Sequence, residues 1–305
     1  MHGAAWGPVV GRRGALALAG SAVLALLGAG CVDQHPADAQ GRAAQRLVAT
    51  SPAVAEVCDR LELDLVGVPQ TARGLPARYD GLPQVGTAMA PDLEQLAALR
   101  PTCVLSPAAL AEDLRSQYAA AGLACVFLDL GSVGGLYDSA DYLGEKFSRE
   151  DLAQELRREY EATMERVGRR IAHAEPPRVL VLMGVPGSYV VATPHSYVGN
   201  LVALAGGENV YSEPSSDFVN ANTEDMLERD PDVIVRCAHA LPDQVMEMFA
   251  KEFAENDIWG HFRAVKAGRV HDLPSGLFGM SAEFSYPAAL DELVDLLYEG
   301  GGARP

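Results

Sequence analysis

Two segments of this chain repeat one another, and the repeat limits the folds that can hold them. The first opens on Asp92-Leu93-Glu94 and runs through Pro101 into the apolar run Cys103-Val104-Leu105. The second opens on Asn222-Thr223-Glu224 and runs through Pro231 into Val233-Ile234-Val235. Each has a capping residue, a Glu two places on, a short helical stretch, a proline and a strand. A chain that builds the same unit twice reads as two lobes on one plan. Around these units, short apolar runs alternate with helical patterns. Leu47-Val48-Ala49, Leu65-Val66-Gly67-Val68 and Cys125-Val126-Phe127-Leu128 join the first set, and Val179-Leu180-Val181-Leu182 joins the second. Apolar strands separated by helices predict an α/β fold with parallel sheets and flanking helices.

Between the two sets, 148–176 reads as one long connecting helix. Ser148 followed by Asp151 marks its start, and Pro176-Pro177 end it. Leu152, Leu156, Tyr160, Met164, Val167 and Ile171 recur at helical spacing, with Gly168 as the interior break. At 1.5 Å per residue such a helix would span roughly 40 Å and join the lobes as a strut.

The N-terminus reads as an export signal. Arg12-Arg13 precede an apolar run from Ala15 to Leu27, then Gly28-Ala29-Gly30 and Cys31. The run is short for a membrane span, which takes roughly 20 residues. A cysteine after small residues looks like a bacterial lipobox, although the leucine stands at Leu27 rather than one place later. Lipidation of Cys31 would tether the mature chain to the outer face of the cell membrane. The arginine pair leaves the general and twin-arginine export routes both open. From Val32 to about Arg46 the chain is small, polar and aperiodic, as a tether would be. The expected organisation is a signal at 1–30, a lipidated flexible tether at 31–46, an N-terminal α/β lobe at 47–147, the connecting helix at 148–176, and a C-terminal α/β lobe at 177–305.

A formal charge of −17 argues against nucleic acid, whose phosphates ask for a basic face. Cys58, Cys103, Cys125 and Cys237 form no close pair and read as buried thiols, with a disulfide or a ligand role as the alternative. No histidine pair has the spacing of a zinc site. The loop Gly131-Ser132-Val133-Gly134-Gly135 lacks a P-loop lysine, and no Gly-x-Ser-x-Gly elbow occurs, so the expectation is a binding protein rather than an enzyme. Glu94 and Glu224 stand at equivalent places in the two repeats. A matched pair of carboxylates suits a partner with matched basic sites, the alternative being helix-dipole stabilisation of a few tenths of a kcal/mol each.

Three further stretches carry a family resemblance. They are Leu182 to Thr193 with Tyr197 and Ala205-Gly206-Gly207-Glu208-Asn209; Lys251-Glu252-Phe253 through Asn256, Trp259 and His261 to Lys266; and Leu75-Pro76-Ala77-Arg78-Tyr79 with Gly86-Thr87-Ala88-Met89-Ala90-Pro91. With them the chain resembles the binding proteins of iron-siderophore and cobalamin ABC importers, and among these the heme-binding lipoproteins of the iron-regulated surface determinant type. The resemblance runs from about Arg46 to Tyr298. It implies a two-lobed periplasmic-binding-protein fold joined by one long helix, with heme b carried between the lobes to an ABC permease and its ATPase, after an upstream heme donor. It implies Met89 and His239 as the axial ligands of the iron, the latter in Arg236-Cys237-Ala238-His239. It makes Glu94 and Glu224 the residues that dock on the permease. Ser51 at a helix start and Arg78 with Tyr79 are candidates for the propionates. Tyr189 and Phe278 are candidates for the porphyrin faces, with ordinary packing the alternative for each. A siderophore or cobalamin cargo is the alternative function.

Overall fold

The chain's structure, a computed structural model, describes residues 45–213 and 215–298. The residues read as signal and lipidated tether, Cys31 included, lie outside these except at Gln45 and Arg46. Arg46 already belongs to the fold: its backbone N–H donates to Thr102 Oγ1 at 2.9 Å and its guanidinium to the Leu99 carbonyl at 2.8 Å.

Four strands make the first sheet: β1 (Leu47–Ala49), β2 (Leu65–Gly67), β3 (Cys103–Pro107) and β4 (Cys125–Leu128), in the order β2-β1-β3-β4 and all parallel. The helices α1 (Pro52–Arg60), α2 (Leu93–Ala98), α3 (Ala111–Ala120) and α4 (Val133–Phe147) connect and cover it. After α5 (Glu150–Ile171), the second sheet contains β5 (Arg178–Val185), β6 (Ser188–Ala192), β7 (Glu208–Asn209), β8 (Phe218–Asn220), β9 (Val233–Ala238) and β10 (Val270–Asp272). Its helices are α6 (Tyr197–Leu204), α7 (Thr223–Glu228), α8 (Pro242–Glu255), α9 (Arg263–Lys266) and α10 (Tyr286–Tyr298).

The six apolar runs picked out in the sequence are all strands, because a strand covered on both faces must be apolar throughout. Side chains alternate between two cores along them. Val179, Val181 and Met183 face one cluster, and Leu180 and Leu182 face another around Phe249 and Trp259. The first of these clusters is continuous with Leu47, Ala49 and Leu105 of the first sheet. One apolar core therefore runs under both sheets.

The structure corrects two expectations. The second sheet is mixed rather than purely parallel. Residues Pro186 and Gly187 close a tight hairpin between β5 and β6, with Gly187 at φ +83°, so β6 runs antiparallel to β5 and to β8. The connecting helix is also shorter than its reading. Ser148 does not start it. It ends α4 in the left-handed region at φ +57°, while the next N–H, that of Arg149, returns to the Gly144 carbonyl at 2.7 Å. A serine can end a helix as well as begin one, and spacing alone does not distinguish the two. The connecting helix α5 has 22 residues, about 33 Å. Nor is it a bare strut, because it lies against α4 and α10. A methyl group on Gly144 would stand 2.8 Å from the Ala153 Cβ, so glycine there allows α4 and α5 to approach. Arg170 donates to Asp291 at 2.9 Å and to Asp295 at 2.5 Å on α10.

The two repeats match in detail. Asp92 accepts the backbone N–H groups of Glu94 and Gln95 at 3.0 Å each, and Asn222 accepts those of Glu224 and Asp225 at 3.0 and 3.2 Å. Helices α2 and α7 have 6 residues each, and each buries one side chain, Leu96 or Met226. Arg100 and Asp230 follow them, both left-handed at φ +45°, and a proline comes next.

Candidate ligand-binding cleft

The loops leaving β1, β3, β4, β9 and β10 at their carboxyl ends gather around one cleft of about 680 Å³. The carboxyl edge of parallel strands is where open α/β sheets present ligand-binding loops, since short βα turns and helix N-termini collect there. Met89 and His239 both line this cleft, although 150 positions separate them in sequence.

Met89 sits in a narrow loop. Gly86 forms a bridge to Pro91, the Ala90 N–H returns to the Thr87 carbonyl at 3.2 Å, and the Asp92 N–H bonds the Val85 carbonyl at 2.8 Å. Gly86 lies at φ +85°, and a Cβ there would stand 2.6 Å from the Ala90 carbonyl oxygen. Only glycine fits that position, and the loop it closes carries Met89 into the cleft with its side chain exposed. His239 follows β9, and its backbone N–H donates to the Gly184 carbonyl at 2.9 Å. Arg236, three residues earlier, makes two hydrogen bonds to Asp272 at 2.7 and 2.9 Å and lies 4.7 Å over the Phe253 ring. It ties β9 to β10 and so fixes the strand end from which His239 projects.

Two helix N-termini also open on the cleft. Ser51 caps α1 by accepting the Val54 N–H at 3.3 Å, and Ser51, Pro52 and Ala53 line the wall. Ser196 caps α6 by accepting the Gly199 N–H at 3.1 Å, and Ser196 and Tyr197 line the wall as well. Unpaired first-turn N–H groups favour anions at such ends. Arg73 is also at the cleft, where it meets Glu283 through two bonds of 2.7 and 2.6 Å. Behind the pair, Glu56 accepts the Phe284 N–H at 3.2 Å, and burial pushes its carboxyl above the usual range. Arg73, Glu283, Met280 and the α6 N-terminus were not read from the sequence. The Arg73–Glu283 bond joins residues 210 positions apart in aperiodic stretches, which leave no local signal.

Of the remaining sequence candidates, Ser51 is at the cleft and four are not. Arg78 reaches Asp64 at 3.1 Å and Asp59 at 3.9 Å, and its guanidinium lies 5.6 Å over the Tyr79 ring. Tyr79 is buried and donates to the Leu63 carbonyl at 2.7 Å, which pins the loop after α1. Tyr189 packs against Phe249 and Trp259 and donates to Glu252 at 3.3 Å. The same Glu252 oxygen accepts the Trp259 indole N–H at 3.1 Å and the Asn256 amide at 2.9 Å. The motif around Lys251 to Trp259 thus builds an aromatic core rather than the cleft. Phe278 is wholly buried in the main cluster. All four cysteines named above are free thiols, and burial pushes Cys58 and Cys237 up to about 12, which makes them inert packing groups.

Comparison with known proteins follows the same lines. Residues 47–277 match the periplasmic binding protein family. Over 255 residues the chain is 39% identical to the high-affinity heme uptake system protein IsdE of Staphylococcus aureus, which covers 83% of this chain and 87% of that protein. The crystal structure of S. aureus IsdE complexed with heme superposes with a TM-score of 0.79 at 39% identity, over 84% of this chain and 99% of the other. An ABC transporter substrate-binding protein from Listeria monocytogenes superposes with a TM-score of 0.80 at 43% identity, again over 84% and 99%. The chain belongs to the periplasmic binding protein family.

Proposed function

We propose that this periplasmic binding protein carries heme b to an ABC permease from outside the cytoplasm, held to the membrane by a lipid on Cys31. The observation that carries the reading is the meeting of Met89 and His239 in one cleft, on loops of the two repeats. Imidazole and thioether are a recognised axial pair for heme iron, and the thioether favours the ferrous state. The cleft wall is mostly apolar, as a porphyrin face requires, with polar groups confined to a few places. The N-termini of α1 and α6 and the Arg73 guanidinium would receive the two propionates. Arg73 would exchange Glu283 for a propionate, one carboxylate for another, with the same forked geometry. These groups suit holding and releasing a cargo, which supports a role in transport. An upstream protein would supply the heme, and Glu94 and Glu224 would seat the loaded carrier on its permease.

Titration of the mature chain with hemin tests the reading. One equivalent should saturate it and give a six-coordinate, low-spin spectrum. Saturation at several equivalents, or no change in the Soret region, would overturn it, and corrin bands on adding cobalamin would favour a different cargo.

The lobes should move little on loading. Besides α5, the segment before α10 ties the second sheet to the first. The Ala282 N–H donates to the Leu130 carbonyl at 2.7 Å, and the Tyr286 and Tyr137 hydroxyls stand 3.1 Å apart. Two crossings and one shared core resist hinge bending. Small-angle scattering should give the same radius of gyration with and without hemin. A contraction well outside error would mean that these ties open.

A further inference from the structure

Tyr197 holds a buried hydroxyl with nothing to bind. The residue opens α6, is 2% exposed, and places its ring in the core that runs under both sheets. Its hydroxyl is buried too and has no hydrogen-bond partner. The other buried tyrosines among the described residues are all paired. Tyr79 donates to the Leu63 carbonyl at 2.7 Å, Tyr118 stands 3.0 Å from the Ser106 hydroxyl, Tyr137 and Tyr286 stand 3.1 Å from each other, and Tyr211 donates to Asp225. A phenylalanine would fill the same space without burying an unpaired polar atom, so the hydroxyl asks for a reason.

Its surroundings say what acceptor is missing. The hydroxyl feels the Glu283 and Glu56 carboxylates and the Arg73 guanidinium. Neither carboxylate takes its hydrogen: Glu283 turns both oxygens to Arg73, and Glu56 accepts the Phe284 N–H. The backbone N–H of Glu283 faces the hydroxyl as well, but an N–H can only donate. Burial, and then the two carboxylates, push the phenol above its usual range, so it keeps its proton and serves as a donor. Tyr197, Arg73 and Glu283 all line the cleft, as do Ser196 and Val198 at the start of α6. The first N–H groups of that helix have no partner within it. A guanidinium, free backbone N–H groups and a phenolic O–H thus share one part of the wall. A carboxylate suits all three, because its oxygens accept several hydrogen bonds and carry the charge that an arginine and a helix N-terminus favour.

We propose that Tyr197 selects the cargo by its acid group: the hydroxyl donates a hydrogen bond to one propionate of the porphyrin, beside the Arg73 guanidinium. This rests on the heme reading above and adds to it a residue that distinguishes a free acid from a blocked one. A buried donor that only the right ligand satisfies works against an analogue lacking the acceptor, since that analogue leaves the donor unpaired. An ester keeps the porphyrin and the iron, but it carries no charge and its carbonyl is the weaker acceptor.

The test titrates hemin and hemin dimethyl ester into wild type and Tyr197→Phe, with a thermal melt of each protein before loading. The variant keeps the ring in the core and loses an unpaired hydroxyl, so it should melt at or above the wild-type temperature. It should bind hemin about tenfold more weakly, the ordinary worth of a hydrogen bond to a charged group. It should bind the dimethyl ester as wild type does. Equal hemin affinity in the two proteins would overturn the proposal. An equal loss for hemin and for the ester would overturn it as well, since Tyr197 would then be a packing residue of the wall. The ester comparison stands even for a variant that melts lower, because a loosened cleft weakens both ligands alike. Failure of the wild-type chain to take up hemin at all would instead strike the heme reading itself.

Discussion

His239→Ala should lose ferric heme, while Met89→Ala should retain much of it. Imidazole is a good ligand for ferric iron, and a thioether is a poor one that favours ferrous iron. Loss of the imidazole should therefore weaken hemin binding by on the order of 100-fold, about 2.7 kcal/mol. Loss of the thioether should change the spectrum from six- to five-coordinate with a smaller fall in affinity. Reduction of the iron should narrow the gap between the two variants, since ferrous iron accepts sulfur better. Neither substitution should unfold the chain. Both side chains are exposed, and the contacts that hold their loops are made by backbone groups and by Gly86 and Arg236. Soret titrations of ferric and ferrous forms, with a thermal melt of each apo variant, make the measurement. If Met89→Ala abolishes hemin binding while His239→Ala keeps it, the two roles are reversed.

The strands of this fold were legible in the sequence because burial on both faces writes itself as unbroken apolar runs, as in Val179-Leu180-Val181-Leu182. The repeated unit was legible for another reason. A short helix between a cap and a proline is a local structure, and Asp92 and Asn222 act on the residues two and three places beyond them. Met89 and His239 came from resemblance rather than from pattern, since one methionine and one histidine carry no periodicity. What could not be read was whatever depends on distant contact. Arg78 and Tyr79 stand in a loop whose composition suits a ligand, yet Tyr79 is consumed by the Leu63 carbonyl and Arg78 by two aspartates. Arg73, five residues earlier and no more conspicuous, is the one at the cleft, because Glu283 arrives beside it from the far end of the chain. Phe278 shows the same limit at closer range. It lies two residues from Met280, but its ring fills the core while Met280 faces the cleft.

Replacement of both Glu94 and Glu224 by alanine should abolish most heme uptake in cells and leave hemin binding untouched. The two carboxylates occupy congruent settings, each exposed, on a 6-residue helix capped by the residue two places before it. The caps act through the backbone N–H of each Glu, so neither carboxylate is needed to hold its helix. Alanine is a good helix former, and a surface change of this kind alters stability by within about 0.5 kcal/mol. Their absence should therefore be felt only by a partner. Arginine is the natural counterpart, since its fork accepts a carboxylate through two bonds. A carrier held at two points gains from linking them, as the second contact forms within an already bound complex. Each single substitution should then reduce uptake several-fold and the pair together by more than either alone, on the order of 100-fold. Docking through exposed charges should also weaken as salt rises. Uptake of labelled heme by cells carrying each variant, set beside hemin titrations of the purified proteins, gives both arms. Unimpaired uptake by the double variant would remove these residues from docking. Loss of hemin binding would place them instead in the service of the cleft, which neither of them lines.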